Sequence, residues 1–132
     1  MVDTSVWSLA LRRDVVPDVP HVNLLVRALQ GQSIVVTAGI ILQEVLQGVL
    51  GPKQVQAIVG RLSALPMVMP DRQDYIDAAD IGRTCRRSGV QLKTIDALIA
   101  QLCIRHDLEL LTTDQDFEFA KRHVPLKLAV SG

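Results

Sequence analysis

The stretch LKTIDALIAQLCIRHDLELLTTDQDF, residues 92–117, decides how the rest of the chain reads. Its first half predicts a helix over residues 95–106 that is apolar on nearly every side, with Thr94 as N-cap. A short apolar strand over residues 109–111 follows, and then a turn that holds Asp114 and Asp116. Asp96 falls in the opening turn of the helix. Ile99, Ala100 and Cys103 stand three, four and seven residues further on, so the carboxylate shares an apolar face. An unpaired carboxylate is costly to bury, and an ionised one more so. Something must compensate Asp96, and a cation is one candidate.

The same alternation of short apolar strands and amphipathic helices runs through the chain. Val2 opens a very short apolar start, broken at once by Asp3-Thr4-Ser5, and Val6, Trp7, Leu9 and Ala10 suggest a brief helix ending near Arg12. Residues 14–20, with two prolines, read as a loop. Residues 21–30 carry Val22, Leu25, Val26 and Leu29 at helical spacing, stopped by Gly31. Residues 33–37 are short and β-branched, which predicts a buried strand. A helix over residues 40–50 has the apolar arc Ile41, Leu42, Val45, Leu46, Val49 and Leu50, with Glu44 just outside it. Residues 53–64 make another helix, and residues 66–69 a strand. A long helix from Asp71 to Ser88-Gly89 shows a stripe of Tyr75, Ala78, Ala79, Gly82 and Cys85. Asp114 is placed to cap a short helix through Phe117 and Phe119, and residues 126–130 form the last strand. This order indicates an α/β layer structure with a mainly parallel sheet.

The chain has 132 residues, close to the modal size of one domain, so residues 1–132 read as a single core. With 48% hydrophobic and 21% charged residues, disorder is not the default. Fourteen basic and fourteen acidic side chains cancel, which leaves no global field to steer the chain onto nucleic acid. Only 3% of residues are aromatic, which argues against a base-stacking platform, so any nucleic-acid contact must be local. Cys85 and Cys103 lie on apolar helix faces and match no secreted disulfide framework. No apolar run approaches the roughly 20 residues that span a bilayer. A basic segment followed by a long apolar one is absent from the N-terminus, so the expected location is the reducing cytoplasm, without a signal peptide.

In parallel sheets ligands bind at the carboxyl ends of the strands, where strand order reverses. Asp3 ends the first predicted strand and Asp114 follows the fourth. Neighbouring strands one and four would point both acids into one crevice. Singly, each acid has a plain explanation: Asp3 as a turn or cap residue, Asp96 as an acid favoured by the helix dipole, Asp114 as an N-cap and Glu44 as a solvated helix residue. As a set they are hard oxygen donors without a His or Cys cluster, which favours Mg²⁺ or Mn²⁺ over zinc. Water activated by such an ion can attack a phosphodiester, with charge on the leaving oxygen stabilised.

Val2-Asp3-Thr4-Ser5-Val6-Trp7 and Leu110-Leu111-Thr112-Thr113-Asp114-Gln115-Asp116-Phe117 resemble the opening and closing signatures of PIN-domain ribonucleases. Between them, Leu42-Gln43-Glu44-Val45 and Thr94-Ile95-Asp96-Ala97-Leu98-Ile99-Ala100 fall where that family keeps its second and third acids. Size and motif order most resemble the VapC-type toxins of bacterial toxin–antitoxin pairs. The resemblance implies a three-layer PIN-like fold with a central sheet of about five short strands flanked by helices. It implies metal-binding, catalytic acids at Asp3, Glu44, Asp96 and Asp114, with Asp116 matching a further acid that can reach the metal. Thr4, Ser5 and Thr112 match hydroxyl positions that orient a ligand or its water. It also implies a Mg²⁺- or Mn²⁺-dependent endoribonuclease, acting on RNA as a homodimer held inactive by a cognate antitoxin, with no membrane partner. One departure concerns the start: only Met1 and Val2 precede Asp3, so the first strand is shorter than is usual in the family.

Arg83, Arg86, Arg87 and Lys93 cluster before the acidic stretch and are candidates to hold RNA phosphates, or else form a solvated helix end. His21, His106 and His123 are scattered and match no ligand spacing, and Trp7 is expected to pack against the sheet. Two other readings compete. A phosphotransfer domain using a nucleophilic aspartate wants an Asp-x-Asp pair at the first strand, which Asp3-Thr4-Ser5 lacks. A catalytically inactive PIN-like module that acts by protein binding would not need all four acidic positions filled.

Overall fold

The computed structural model describes residues 1–11 and 15–129. The chain divides after Val68 into two compact units.

In the first unit, Asp3 has an extended backbone (φ −71°, ψ 154°) and leads into α1 (Thr4–Ala10), which buries Val6 and Trp7. Arg12 and Asp14, at the predicted helix end and loop start, lie outside the described residues. α2 (Pro20–Arg27) begins with a proline, whose missing N–H has no partner to lose at a helix start. A wider turn, Ala28–Gln32, extends it to Gly31, whose φ of 100° is a left-handed conformation that glycine adopts without strain. Val22 and Leu25 are buried, but Val26 and Leu29 are not, so the expected apolar face narrows to a two-residue seam.

The strand predicted over residues 33–37 forms a ladder only in β1 (Thr37–Ala38), and Ile34 is 83% exposed. α3 (Gly39–Gln47) buries Ile41 and Val45 and stops at Gly48, which leaves Leu50 fully exposed instead of on the predicted arc. α4 (Pro52–Ser63) buries Ile58 and Leu62 one turn apart. β2 (Met67–Val68) pairs parallel with β1, Thr37 opposite Met67 and Ala38 opposite Val68. Thr37 N–H also donates to Pro66 O at 2.9 Å. Pro66 and Pro70 bracket β2, and neither has an N–H to extend the ladder.

The second unit is built on α5 (Arg72–Arg87) packed against α6 (Thr94–Arg105). A reciprocal capping box starts α5: Asp71 accepts from the Asp74 N–H, and Asp74 accepts from the Asp71 N–H, both at 2.9 Å. The buried stripe of α5 is Asp74, Ala78, Ile81 and Cys85; Tyr75, expected on it, is 57% exposed. Both helices end in the same motif. Val90 N–H reaches back to Cys85 O at 2.9 Å, and Leu108 N–H to Cys103 O at 2.8 Å, with Gly89 (φ 83°) and Asp107 (φ 52°) in left-handed conformations. α6 buries Asp96, Ala97, Ile99, Ala100, Gln101, Leu102 and Cys103, the all-round burial its composition predicts.

β3 (Glu109–Leu110) and β4 (Lys127–Leu128) make a second parallel ladder, and α7 (Gln115–Ala120) lies between them in sequence. Val130, at the predicted end of the last strand, lies outside the described residues. The α/β class and the parallel pairing agree with expectation, but the single central sheet of about five strands is corrected. The described residues form two separate two-stranded ladders. β-branched sequence produces extended backbone, whereas ladder bonds need a partner with free N–H and C=O groups alongside. Among the described residues, no helix is long and apolar enough to cross a membrane.

Candidate functional site

Asp96 owes its position to where α6 begins. Lys93, with φ −63° and ψ 152°, is the N-cap, and its carbonyl accepts from the Ala97 N–H at 2.9 Å. Thr94, the expected cap, is instead the first helical residue. This places Asp96 third in the helix, where the N-terminal dipole favours an anion. The side chain is 9% exposed and stands on the helix whose next turns are core.

Asp114 is brought to the same place by β3 and the turn after it. Thr112, buried, accepts the Asp114 N–H on Oγ1 at 3.0 Å, which closes the turn. Asp114 caps α7 as expected, its Oδ1 accepting the Asp116 N–H at 2.9 Å. Phe117, 0% exposed, anchors α7 from beneath. Asp96, Asp114 and Asp116 thereby each present a carboxylate oxygen, and the three atoms lie within 4.8 Å of one another. Asp96 is buried and the two turn acids are half-buried, so the cluster opens to solvent on the α7 side. Three like charges at this spacing repel, and a hard divalent cation with oxygen ligands fits the donor set.

The first unit carries the other two expected acids. Asp3, 6% exposed, accepts from Ser5 Oγ on its Oδ2 at 2.8 Å. Glu44, half-buried on α3, accepts from Thr4 Oγ1 on Oε1 at 2.9 Å. Thr4 and Ser5, expected as orienting hydroxyls, thus each fix one carboxylate within this unit, a geometry that α1 packing on α3 makes possible.

The basic candidates are all exposed. Arg83 is engaged by Asp80 one turn earlier on α5. Arg86 and Arg87 lie in the last turn of α5, where cations suit the helix dipole, and Lys93 caps α6. His106 and His123 are exposed, His21 is half-buried, and Trp7 is buried.

One polar network has no counterpart among the sequence expectations. Asp74, with a side chain 1% exposed, pairs with Arg105 Nε at 2.7 Å and accepts from Gln101 Nε2 at 3.3 Å. Arg105 Nη2 also donates to Met69 O at 3.2 Å. Burial alone would raise the Asp74 carboxyl, but hydrogen bonds from the Asp71 N–H and Gln101, with the Arg105 charge, outweigh it and hold the group below the usual carboxylate range. The sequence signal for it lies in the Asp71-x-x-Asp74 spacing and in the place of Asp74 one turn before Ala78 on the buried stripe.

The family model for the PIN domain matches residues 1–122. Ribonuclease VapC11 of Mycobacterium tuberculosis is 34% identical over 91 residues, covering 67% of this chain and 68% of that relative. Among solved structures, the DNA-bound VapBC of Salmonella typhimurium superposes with a TM-score of 0.75 at 24% identity, over 97% of this chain and 94% of that one. VapBC2 of Rickettsia felis, bound to a promoter DNA fragment, gives a TM-score of 0.74 at 23% identity, over 97% and 95% of the two chains.

Proposed function

This chain belongs to the PIN-domain family, in the company of VapC ribonucleases, and from that premise we propose that it is a Mg²⁺- or Mn²⁺-dependent endoribonuclease, the toxin of a type II toxin–antitoxin pair. The observation that carries the reading is the meeting of Asp96, Asp114 and Asp116 oxygens within 4.8 Å, in a chain that keeps the family's other two acids. Asp96 and Asp114 are the principal ligands in this reading, with Asp116 beside them, and Asp3 and Glu44 are assigned as further catalytic acids of the chain. Residues 1–132 then work as a single domain, which the span of the family match across both units supports.

When bound, the cation supplies the charge that activates a water and stabilises the leaving oxygen of an RNA phosphodiester. The chain's own residues set the geometry. α6 holds Asp96 rigidly because the residues after it are packed on every side. Thr112 holds the turn that aims Asp114. Thr4 and Ser5 fix the rotamers of Glu44 and Asp3, so the donors are arranged before RNA arrives. Arg86, Arg87 and Lys93, exposed at the α5–α6 connection, are assigned to RNA phosphates; Arg83, partly neutralised by Asp80, contributes less. A VapB-like antitoxin is the assigned partner, supported by the VapBC assemblies that share this fold. A homodimer acting in the cytoplasm completes the proposal.

Titration of Mn²⁺ by calorimetry, with cleavage of single-stranded RNA alongside, tests it. Asp96→Asn and Asp114→Asn should each lose cleavage and weaken Mn²⁺ binding about 100-fold or more while keeping native circular dichroism. Asp3→Asn and Glu44→Gln, at the other two assigned acids, should each lose cleavage as well. Full activity of either of the first two variants, or of the native chain in excess chelator, would refute the metal-dependent reading. Absence of any Mn²⁺ binding would favour a module that acts through protein contacts alone.

A further inference from the structure

α7 carries a second feature on the face it shares with the acid turn. Asp116 and Phe119 stand three residues apart in α7, which sets the ring about 4.5 Å further along the axis, and Arg122 follows three residues later in the turn just past the helix. Phe119 is 41% exposed, although its neighbour Phe117 is 0% exposed and Trp7 is 5%. The Arg122 guanidinium lies over the Phe119 ring, 5.4 Å from its centroid. Lys121 is engaged by Glu118 at 3.2 Å and Lys127 by Asp107 at 2.8 Å, whereas among the described residues no carboxylate pairs with Arg122. A solvent-facing aromatic ring, held by a delocalised cation with donors to spare, has the chemistry that takes a nucleobase on the ring and a phosphate on the guanidinium. An aromatic content of 3% excludes an extended platform and still permits a single stacking position.

We propose that Phe119, backed by Arg122, is the stacking subsite for the nucleotide next to the scissile phosphate of single-stranded RNA. The proposal rests on the reading that the Asp96–Asp114–Asp116 cluster takes an RNA phosphodiester. Phe119 binds the base by its face, Arg122 neutralises the neighbouring phosphate, and the helical turn between Asp116 and Phe119 sets the distance from base to reacting phosphate. Both are binding residues, so their effect belongs to KM and to RNA affinity, with kcat nearly unchanged.

The test measures fluorescence anisotropy of a short labelled single-stranded RNA, and of the same strand built without bases, on the full chain in chelator, where no cleavage competes. Phe119→Ala should weaken binding of the base-bearing strand about fivefold or more and leave the abasic strand unchanged. Phe119→Trp should restore binding, and Phe119→Leu, apolar without a π face, should not. Arg122→Ala should weaken both strands and flatten the salt dependence. Equal losses on both strands, rescue by Leu, or no binding of either strand by the native chain would overturn the proposal. Cleavage assays with Mg²⁺ separate the two readings. A native chain that cleaves RNA, with Phe119→Ala unchanged in KM and affinity, removes the subsite and leaves the nuclease. A native chain that cleaves nothing removes both.

Discussion

Arg105 Nε lies 2.7 Å from Asp74 Oδ1, and this ion pair ties the last turn of α6 to the first turn of α5. The carboxylate is 1% exposed and the guanidinium 37%, so one partner is deeply desolvated and the other still meets water. Removing one partner of such a pair costs more than the pair contributes, because the remaining charge stays buried. Gln101 and the Asp71 N–H still hold the carboxylate, which limits the loss. Arg105→Ala is expected to destabilise the chain by about 2–3 kcal/mol in urea unfolding. A change below about 0.5 kcal/mol would show that the pair is no tie at all.

The depressed pKa of Asp74 gives this network a pH dependence of known sign. A carboxyl held lower in the folded than in the unfolded state contributes stability that is complete above the unfolded value of about 3.9. It is lost as pH falls below that value through the lower folded pKa. Unfolding of the native chain and of Asp74→Asn should therefore differ most near neutrality and converge below about pH 4. A gap that widens on acidification would reverse the assignment.

Thr4 Oγ1 donates to Glu44 Oε1 at 2.9 Å, linking α1 to α3. If Glu44 serves the proposed site, the hydroxyl positions it. Thr4→Val should lower RNA cleavage about tenfold, near the 1.5 kcal/mol of a hydrogen bond to a charged group. Thr4→Ser, which keeps the donor, should recover most of the activity, and Glu44→Gln should lose more than Thr4→Val does. Equal activity of Thr4→Val and the native chain would leave the contact structural only.

Thr112 acts on the turn from the other side. Thr112→Val leaves the half-buried Asp114 N–H without its acceptor, at a cost of about 1 kcal/mol and about 3 °C in Tm. Mn²⁺ affinity should fall with it, because Asp114 loses its fixed approach to Asp96. Calorimetry of this variant that matches the native chain would show that the turn is held by other contacts.

How far the sequence alone reaches is clearest at α6 and the acid turn. The apolar run behind Asp96, interrupted only by Gln101, reads as a core helix, and Asp114-Gln115-Asp116-Phe117 encodes its own cap through a short side chain and a buried ring. Local chemistry decides both, so both are legible in the residues themselves. The parallel pairing also follows locally, from short strands separated by helices. The extent of the sheets does not, because ladder bonds form between segments distant in sequence. Pro66 and Pro70 are silent about β1 until β2 lies beside it, and Ile34 looks like core until no partner covers it. Side-chain partnerships are decided later still. That Arg105 would find Asp74, Thr4 would find Glu44 and Asp116 would join Asp96 depends on packing that brings separate helices and turns within hydrogen-bond range. The sequence by itself determined which acids could matter and which helix would carry one of them. Only the tertiary structure decided that Asp96, Asp114 and Asp116 meet, because the charge density that calls for a cation arises when chain folding overcomes the distance between them.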